Sequence, residues 1–468
     1  MTSTLQPSPS IASDLPLELL YEIFDHVCAP PPSLAALPRV GGRHLGPLWL
    51  GRICKRWRDV ASALPFLWTY IHLVPSSDRY DAQVEILEEY LRRSKNLPLT
   101  IVFTIRTTNT DEYCNNRSRP LYELIAQECH RWEVIDIFIP HLCVPHMNAT
   151  CLHLPLLRSA SVEALREEFP LHFIQNAPLL SDLALGIFTL PNLDKPFHHL
   201  THFSAFDLNS GDVLQALKLA PNLRSCFIEH LQRPWPDAIA DPLYVKLEHL
   251  ESFTILDSSS MDAQASLFNY IAAAPALQEF RCTARPEGLL PLGLIVDLMD
   301  RAQCRLETLE LKTKRLGRLD TGVLLEGLLR CTTTLSSLVL HYDGTTAADK
   351  FVTNISELLN PLSSPVPPLN AGTVVSTVGG DSPVLLPDLL NLELLFPQVD
   401  SFSPILTMLK NRWEFGTPLI FDLSSSESPS SGKQFTKIMS AHLPEWCRPA
   451  AMVELADQIK DGFVMDFI

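Results

Sequence analysis

LQEFRC (Leu277–Cys282), LETLEL (Leu306–Leu311) and LSSLVL (Leu335–Leu340) share one pattern. Positions 1, 4 and 6 are apolar, and the residues between them vary. The step of two from position 4 to position 6 puts both side chains on one face of a β-strand. The pattern continues upstream in LESFTI from Leu250, LRSCFI from Leu223, LTHFSA from Leu200, LSDLAL from Leu180, LRSASV from Leu157 and WEVIDI from Trp132. Downstream it returns in LLNLEL from Leu389. Start to start, the spacings are 25, 23, 20, 23, 27, 27, 29, 29 and 54 residues. The last gap is two units of 27 residues or one unit with an insertion.

Self-similarity at roughly 20–29 residues with L-x-x-L-x-L strands is the signature of a leucine-rich-repeat array. No such unit covers its own apolar face. Stacking joins the strands into one parallel sheet with helices outside. Helix-forming stretches fill the intervals at Asp212–Leu219, Asp262–Ala273, Leu292–Ala302, Val323–Arg330 and Ala347–Leu359. Ala-Pro precedes the strand at Ala177-Pro178, Ala220-Pro221 and Ala274-Pro275. The asparagine that usually follows the strand is missing, so the repeat is degenerate. A doubly wound α/β domain also alternates strands and helices, but a near-constant period favours the array. Parallel strands are expected near 134–137, 159–162, 182–185, 202–205, 225–228, 252–255, 279–282, 308–311 and 337–340, in chain order.

Side chains at positions 3, 5 and 7 point away from the core. They include Glu163, Asp182, Glu229, Glu279, Glu310 and Glu393, against Arg281 and Lys312, with Phe206 and Phe227 as aromatic anchors. This face either holds a protein target with a basic or mixed segment or is an ordinary solvated surface.

Ahead of the array, Ser13–Leu73 contains two helical stripes. Leu20, Ile23, Phe24 and Val27 fall at i, i+3, i+4 and i+7, one side of a helix. Pro16 suits a first turn, with Ser13 or Asp14 as caps and Glu18 at the positive end. Ile53, Trp57, Val60 and Leu64 form the second stripe, which Pro65 stops. So small a helical segment cannot bury this much apolar surface by itself. It is a cap on the larger domain or a docking module.

Leu15-Pro16-x-Glu18, Leu20, Ile23-Phe24, Ile53-Cys54-x-x-Trp57-Arg58, Ala61, Pro65 and Leu67-Trp68 together resemble an F-box, in the form abundant among fungal F-box-like proteins. The likeness covers about an eighth of the chain. It departs at Ala29–Pro47, a longer connection rich in Pro and Gly. The resemblance implies a small all-α F-box over 13–68 that docks to the Skp-type adaptor of a cullin ubiquitin ligase, through Leu15, Pro16, Leu19, Leu20, Ile23, Phe24, Ile53 and Trp57. A short strand tends to follow, here Thr69–Leu73. The expected chain is then α/β: a tail at 1–12, the F-box, connecting strand–helix units at 69–130, and a leucine-rich-repeat-like solenoid at 131–424. The connecting units are a helix at Ala82–Arg93, a strand at Leu97–Ile105, a polar loop at Asn109–Ser118 and a helix at Leu121–Cys129. A Pro/Ser/Gly-rich loop at 361–387 and a second break at Ser424–Ser431 interrupt the order, and 425–468 forms a helical cap.

Composition narrows the alternatives. With 468 residues, 46% of them hydrophobic and 19% charged, the chain can bury a large core and is not disordered wholesale. A net charge of −16 with no Lys/Arg run makes nucleic acid and anionic membranes poor partners. Eleven scattered Cys without a CxxC pair match a reducing compartment, cytoplasmic or nuclear. The start, MTSTLQPSPSIAS, has no basic flank or apolar core, so no leader is expected. GLLPLGLIVDLMD is too short for a membrane span and carries two Asp.

No phosphate loop or G-x-S-x-G elbow occurs; Gly432-Lys433 lacks both the earlier glycine and the following hydroxyl residue. HLCVPHMNATCLH groups His141, Cys143, His146, Cys151 and His153, but at no standard zinc spacing. His198, His199 and His202 suit surface or packing roles, and Cys54 suits a helix core. No cofactor, metal or catalytic residue is expected. The function implied is a substrate-recognition subunit of a Skp–cullin–F-box ligase, holding an unidentified protein target. The alternatives are an F-box scaffold outside the ligase and an α/β hydrolase or metal enzyme.

Overall fold

The structure, a computed structural model, describes residues 15–28, 46–75, 79–103, 119–139, 143–164, 171–187, 196–232, 244–258, 261–285, 288–314, 322, 327–329, 334–344, 348–360, 386–399, 402–415 and 437–468. The tail 1–12, the caps Ser13 and Asp14, residues 29–45 of the connection, the loop Asn109–Ser118, His141, residues 361–385 and the break Ser424–Ser431 lie outside the described residues. So does most of the helix expected at Val323–Arg330. The chain divides into two compact units, Met1–Thr201 and His202–Ile468.

The first unit runs α1 (Leu17–Cys28), α2 (Pro47–Leu50), α3 (Lys55–Ala63), a 3-10 turn (Pro65–Trp68), β1 (Tyr70–Leu73), α4 (Tyr80–Ser94), β2 (Leu99–Phe103), α5 (Arg119–Gln127), β3 (Trp132–Ile139), α6 (Val144–Thr150), β4 (Ser159–Ala164) and β5 (Asp182–Gly186). Strands β1 to β5 are all parallel, each bonded to the next in chain order. On this sheet α4 packs against α5 and α5 against α6.

The second unit runs β6 (His202–Phe206), α7 (Ser210–Leu219), β7 (Ser225–Glu229), β8 (Val245–Lys246), β9 (Ser252–Ser258), α8 (Met261–Tyr270), β10 (Ile271–Ala273), β11 (Glu279–Ala284), α9 (Leu292–Ala302), β12 (Thr308–Thr313) and β13 (Ser337–Tyr342). It continues through α10 (Ala348–Leu359), β14 (Asn391–Leu395), α11 (Ser403–Phe415), β15 (Ser440–Leu443), α12 (Arg448–Glu454), α13 (Ala456–Lys460) and β16 (Val464–Phe467). Its sheet is parallel and again in chain order, β6-β7-β9-β11-β12-β13-β14-β15-β16. Strands β8 and β10 form a separate two-stranded pair. Within each unit no strand is shuffled, so a doubly wound order is excluded there. Helix α7 packs on α8, α8 on α9, and α10 on α11.

In all ten motif segments the residues at positions 1, 4 and 6 are buried, from Trp132, Ile135 and Ile137 through Leu389, Leu392 and Leu394. This is the main hydrophobic term, since burying one Leu or Ile side chain contributes about 1.5–3 kcal/mol. The Ala-Pro pairs make tight turns into the strand. Leu180, Leu223 and Leu277 donate backbone N–H to the carbonyls of Ala177, Ala220 and Ala274, and proline presets the turn's second residue. At position 8, Ile187, Asp207, His230 and Asp257 all take left-handed φ, at 55°, 53°, 58° and 50°. A recurrent backbone bend thus stands one residue before position 9, where the missing asparagine would be. Asp and His tolerate that region; a β-branched Ile is rare in it.

Three differences from the sequence expectation are local, and one open alternative is decided. The sheet begins earlier than residue 131, because β1 already pairs with β2 and β2 with β3. Helix α8 stops at Tyr270, since Ile271–Ala273 leaves it to pair with β8. β13 pairs directly with β14, so the 54-residue gap is one unit with an insertion. The tail 425–468 is not a purely helical cap: it adds β15 and β16 to the sheet. Ile438, Ala441 and Leu443 repeat the 1-4-6 spacing, and all three are buried.

Gly344 follows β13, and a Cβ there would overlap the Lys314 carbonyl oxygen and the Tyr342 hydroxyl. Gly344→Ala is expected to destabilise the protein by about 1–3 kcal/mol, the usual cost of overpacking, read as a lower denaturant midpoint. An unchanged midpoint would show that the segment shifts freely.

Candidate functional site

Two surfaces gather the residues singled out in the sequence. The first is the N-terminal helical module. Helix α1 buries Leu20, Phe24 and Cys28, spaced by four, and half-buries Ile23 and Val27. The Pro16 carbonyl accepts from the Leu20 N–H at 3.1 Å, which starts the helix at the expected place. The second stripe is divided. Helix α2 ends in a turn at Gly51–Ile53, and Cys54 is extended (φ −157°) immediately before α3. Arg58 Nε closes that turn by donating to the Gly51 carbonyl at 2.8 Å. Ile53 therefore lies outside the helix and is 52% exposed. Leu64, the residue before Pro65, is extended because the proline ring disfavours a helical neighbour.

The module's core is Leu20, Phe24, Cys28, Leu50, Trp57, Ala61, Leu67 and Trp68. The Phe24 and Trp57 rings sit 5.1 Å apart, and Trp68 Nε1 donates to the Ala61 carbonyl at 2.9 Å. Trp68 also meets Tyr90 of α4 edge-on at 4.8 Å, with the Arg93 guanidinium 4.5 Å over its ring. Burial pushes the Cys28 thiol up to about 11 and the Tyr90 hydroxyl to about 12, so both stay neutral packing groups.

Of the eight residues tied to adaptor contact, Leu20, Phe24 and Trp57 are consumed by this core. Leu15 and Ile23 are half-buried, while Pro16, Leu19 and Ile53 are exposed. Leu17, Tyr21, Leu48, Trp49 and Phe66 join the exposed set, each between 40% and 46% accessible. The sequence reading missed these five. Their signal was a helix apolar on more sides than one stripe can bury: Leu17, Leu19, Leu20, Tyr21, Ile23 and Phe24 occur within eight residues.

The second surface is the outward side of the strands. In the first unit Glu163 is exposed on β4, and Asp182 on β5 accepts from Ser181 Oγ at 2.6 Å. In the second unit the alternation places Phe206, Phe227, Glu229, Glu279, Arg281, Glu310, Lys312 and Glu393 outward. Arg281 lies 3.5 Å from both Glu279 and Glu310, and Lys312 Nζ is 2.7 Å from Glu310. Glu393 pairs with His341. Phe206 and Phe227 face each other across β6 and β7, ring centroids 5.9 Å apart. Glu229 stands opposite Phe206 in register.

The cysteine–histidine segment brings Cys151 beside Cys129 and His146 beside Thr150 at 3.4 Å. The Cys151 thiol donates to the Ala126 carbonyl at 4.0 Å, and the neighbouring Cys129 thiol together with burial drives it far above its ordinary range. Among the described residues no three His, Cys, Asp or Glu side chains converge on a point where a metal ion could sit. A cleft of about 460 Å³ beside α10 and α11 is lined by Ser356, Glu357, Asn360, Ser403, Pro404 and Thr407, without a histidine or cysteine. Among the described residues no helix is long and apolar enough to cross a membrane. The sequence matches no family model, and no curated protein matches it either.

Proposed function

We propose that this chain is an F-box-type substrate-recognition subunit of a Skp–cullin–F-box ubiquitin ligase. The N-terminal module docks the adaptor, and the parallel-sheet region is a leucine-rich-repeat-like solenoid that holds the target. The observation that carries this reading is the module's surplus of apolar surface. Around a core of eight residues, Leu17, Leu19, Tyr21, Leu48, Trp49, Ile53 and Phe66 remain 40–52% exposed. So many exposed large apolar side chains on one small module suit an interaction site. The chain-order strands, helix-on-helix packing and buried 1-4-6 positions support the solenoid. The chain itself performs no bond chemistry. Its contribution is to raise the target's effective concentration at the ligase.

The test is titration of a purified Skp-type adaptor against the full chain and against the Leu15→Ala/Pro16→Ala double variant. Wild type should bind, and the variant should bind about tenfold more weakly, a loss of about 1.4 kcal/mol, with its main thermal transition unchanged. Failure of the wild-type chain to form the complex would remove the F-box reading. Adaptor binding without ubiquitination of any captured protein would leave a scaffold outside the ligase.

A further inference from the structure

The outward face of the second unit is not uniform. Along its strands the outward residues are mostly small hydroxyls, such as Ser204, Ser225, Ser252, Thr254, Thr308 and Ser337, or charged groups. Among the described outward positions, phenyl rings occur only at Phe206 and Phe227. They tilt at 51° to each other at 5.9 Å, and Phe206 keeps 37% of its surface exposed. Their outward neighbours are Ser204 and His202 on β6, Ser225 on β7, and Thr254 and Leu256 on β9, with Leu256 opposite Glu229 in register.

Charge separates this corner from the rest of the face. Glu279 and Glu310 share Arg281, and Glu310 also holds Lys312, so that ladder is largely neutralised from within. Arg224 is engaged by Glu251 at 2.9 Å. Arg285 is turned away, donating to the Asp257 carbonyl and to His230 Nδ1. Glu229 is opposite Phe206 and two residues from Phe227 on the same strand face. Among the described residues its ionic contact is His230 Nε2 at 3.6 Å. Arg285 only donates, so His230 Nδ1 is the acceptor in that bond. Among the described residues no Lys or Arg pairs with Glu229. The Asp207 carboxylate lies at the end of the same strand as Phe206 and accepts a bond from Gln232 at 3.4 Å.

Two ring faces beside a carboxylate that no described Lys or Arg pairs with are complementary to a cation that carries a flat or alkyl body. A guanidinium stacks on a phenyl face and can bond a carboxylate with two N–H groups; an ammonium does the first with less shape match. The same carboxylates repel phosphate and acidic peptides.

We propose that Phe206, Phe227 and Glu229 form a pocket for an arginine or lysine side chain presented by an extended segment of a partner protein. The inference deepens the target-holding role proposed above and rests on it for the nature of the partner. It also moves the recognition point away from the Glu279–Glu310 ladder, whose charges already satisfy one another.

A random nonapeptide display library selected on the immobilised full chain tests it. Enriched peptides should carry Arg or Lys at a fixed position. Their affinity should fall about tenfold when that residue becomes citrulline or norleucine, and equally on Glu229→Gln or Phe227→Ala, as a combined cation–π and charge contact supports. The Glu279→Gln/Glu310→Gln double variant should bind within about twofold of wild type, because surface pairs contribute little. Circular dichroism of each variant confirms that the sheet is intact. No enrichment, enriched peptides without a basic residue, or equal binding to Glu229→Gln would overturn the proposal. A loss confined to the Glu279/Glu310 variant would overturn it too, by assigning capture to the ladder. Adaptor binding by the same preparations is measured separately. Its failure would remove the ligase reading and leave the peptide result standing.

Discussion

Trp57→Ala is expected to unfold the N-terminal helical module at a cost of about 3–5 kcal/mol, the range for truncating a buried large aromatic. Trp57 is 7% exposed and packs on Phe24 at 5.1 Å. Its side chain links α3 to α1, and only eight buried residues make up that core. A core this small has nothing to collapse into the vacated space, so the cavity remains. The expected readout is rapid proteolytic cleavage within α1 to α3, together with loss of adaptor binding. The second unit, with its own buried leucine rows, should survive digestion as a fragment. Trp57→Phe keeps the ring against Phe24 and should retain most of the stability. Protease resistance of Trp57→Ala equal to wild type would show that the module is not held by this core.

The array was legible because its signal repeats. Each motif carries three buried residues at fixed offsets, and nothing else in the chain competes for that period. Where the reading stopped short, the same pattern was present but disguised. WTYIHL, Trp68 to Leu73, follows the 1-4-6 spacing, and Trp68, Ile71 and Leu73 are all buried. Its first residue also closes the helical module, so one tryptophan serves two roles and the segment reads as the end of something rather than a beginning. IMSAHL, Ile438 to Leu443, was hidden by an alanine at position 4 and by the polar stretch before it.

The surfaces were harder to read, for a physical reason. Periodicity tells which side of a strand is outward, and it did so for Phe206, Phe227 and Glu229. It does not tell which outward charges neutralise one another, because that depends on register between strands some 27 to 29 residues apart. Only the register shows Arg281 between Glu279 and Glu310. In the helical module the difficulty is reversed. The apolar residues were plain in the sequence, but their division into core and patch depends on how α2, the Gly51 turn and α3 meet. Ile53 looked like part of a buried stripe and is instead, among the described residues, the most exposed large apolar side chain of the module.

That division supplies the second large effect. Trp49 is 46% exposed and Ile53 52%, and they flank the short turn that separates α2 from α3. The Arg52 guanidinium lies 5.0 Å over the Trp49 ring, an exposed contact of about 0.5–1 kcal/mol at most. Neither side chain belongs to the module's core. The Trp49→Ala/Ile53→Ser double variant should therefore melt within a few degrees of wild type, as surface substitutions usually do. Adaptor affinity should nevertheless fall by about 100-fold, or about 2.7 kcal/mol, because tryptophan at the centre of an interface commonly contributes more than 2 kcal/mol. Substitution is a better probe than deleting residues 1–68, which would strip Trp68 from Tyr90 and uncover α4. Calorimetric titration with purified adaptor, beside a thermal melt of the same sample, separates the outcomes. Undiminished affinity would mean that the adaptor does not meet this turn. A matching drop in melting temperature would mean that Trp49 and Ile53 hold the module together instead of presenting it.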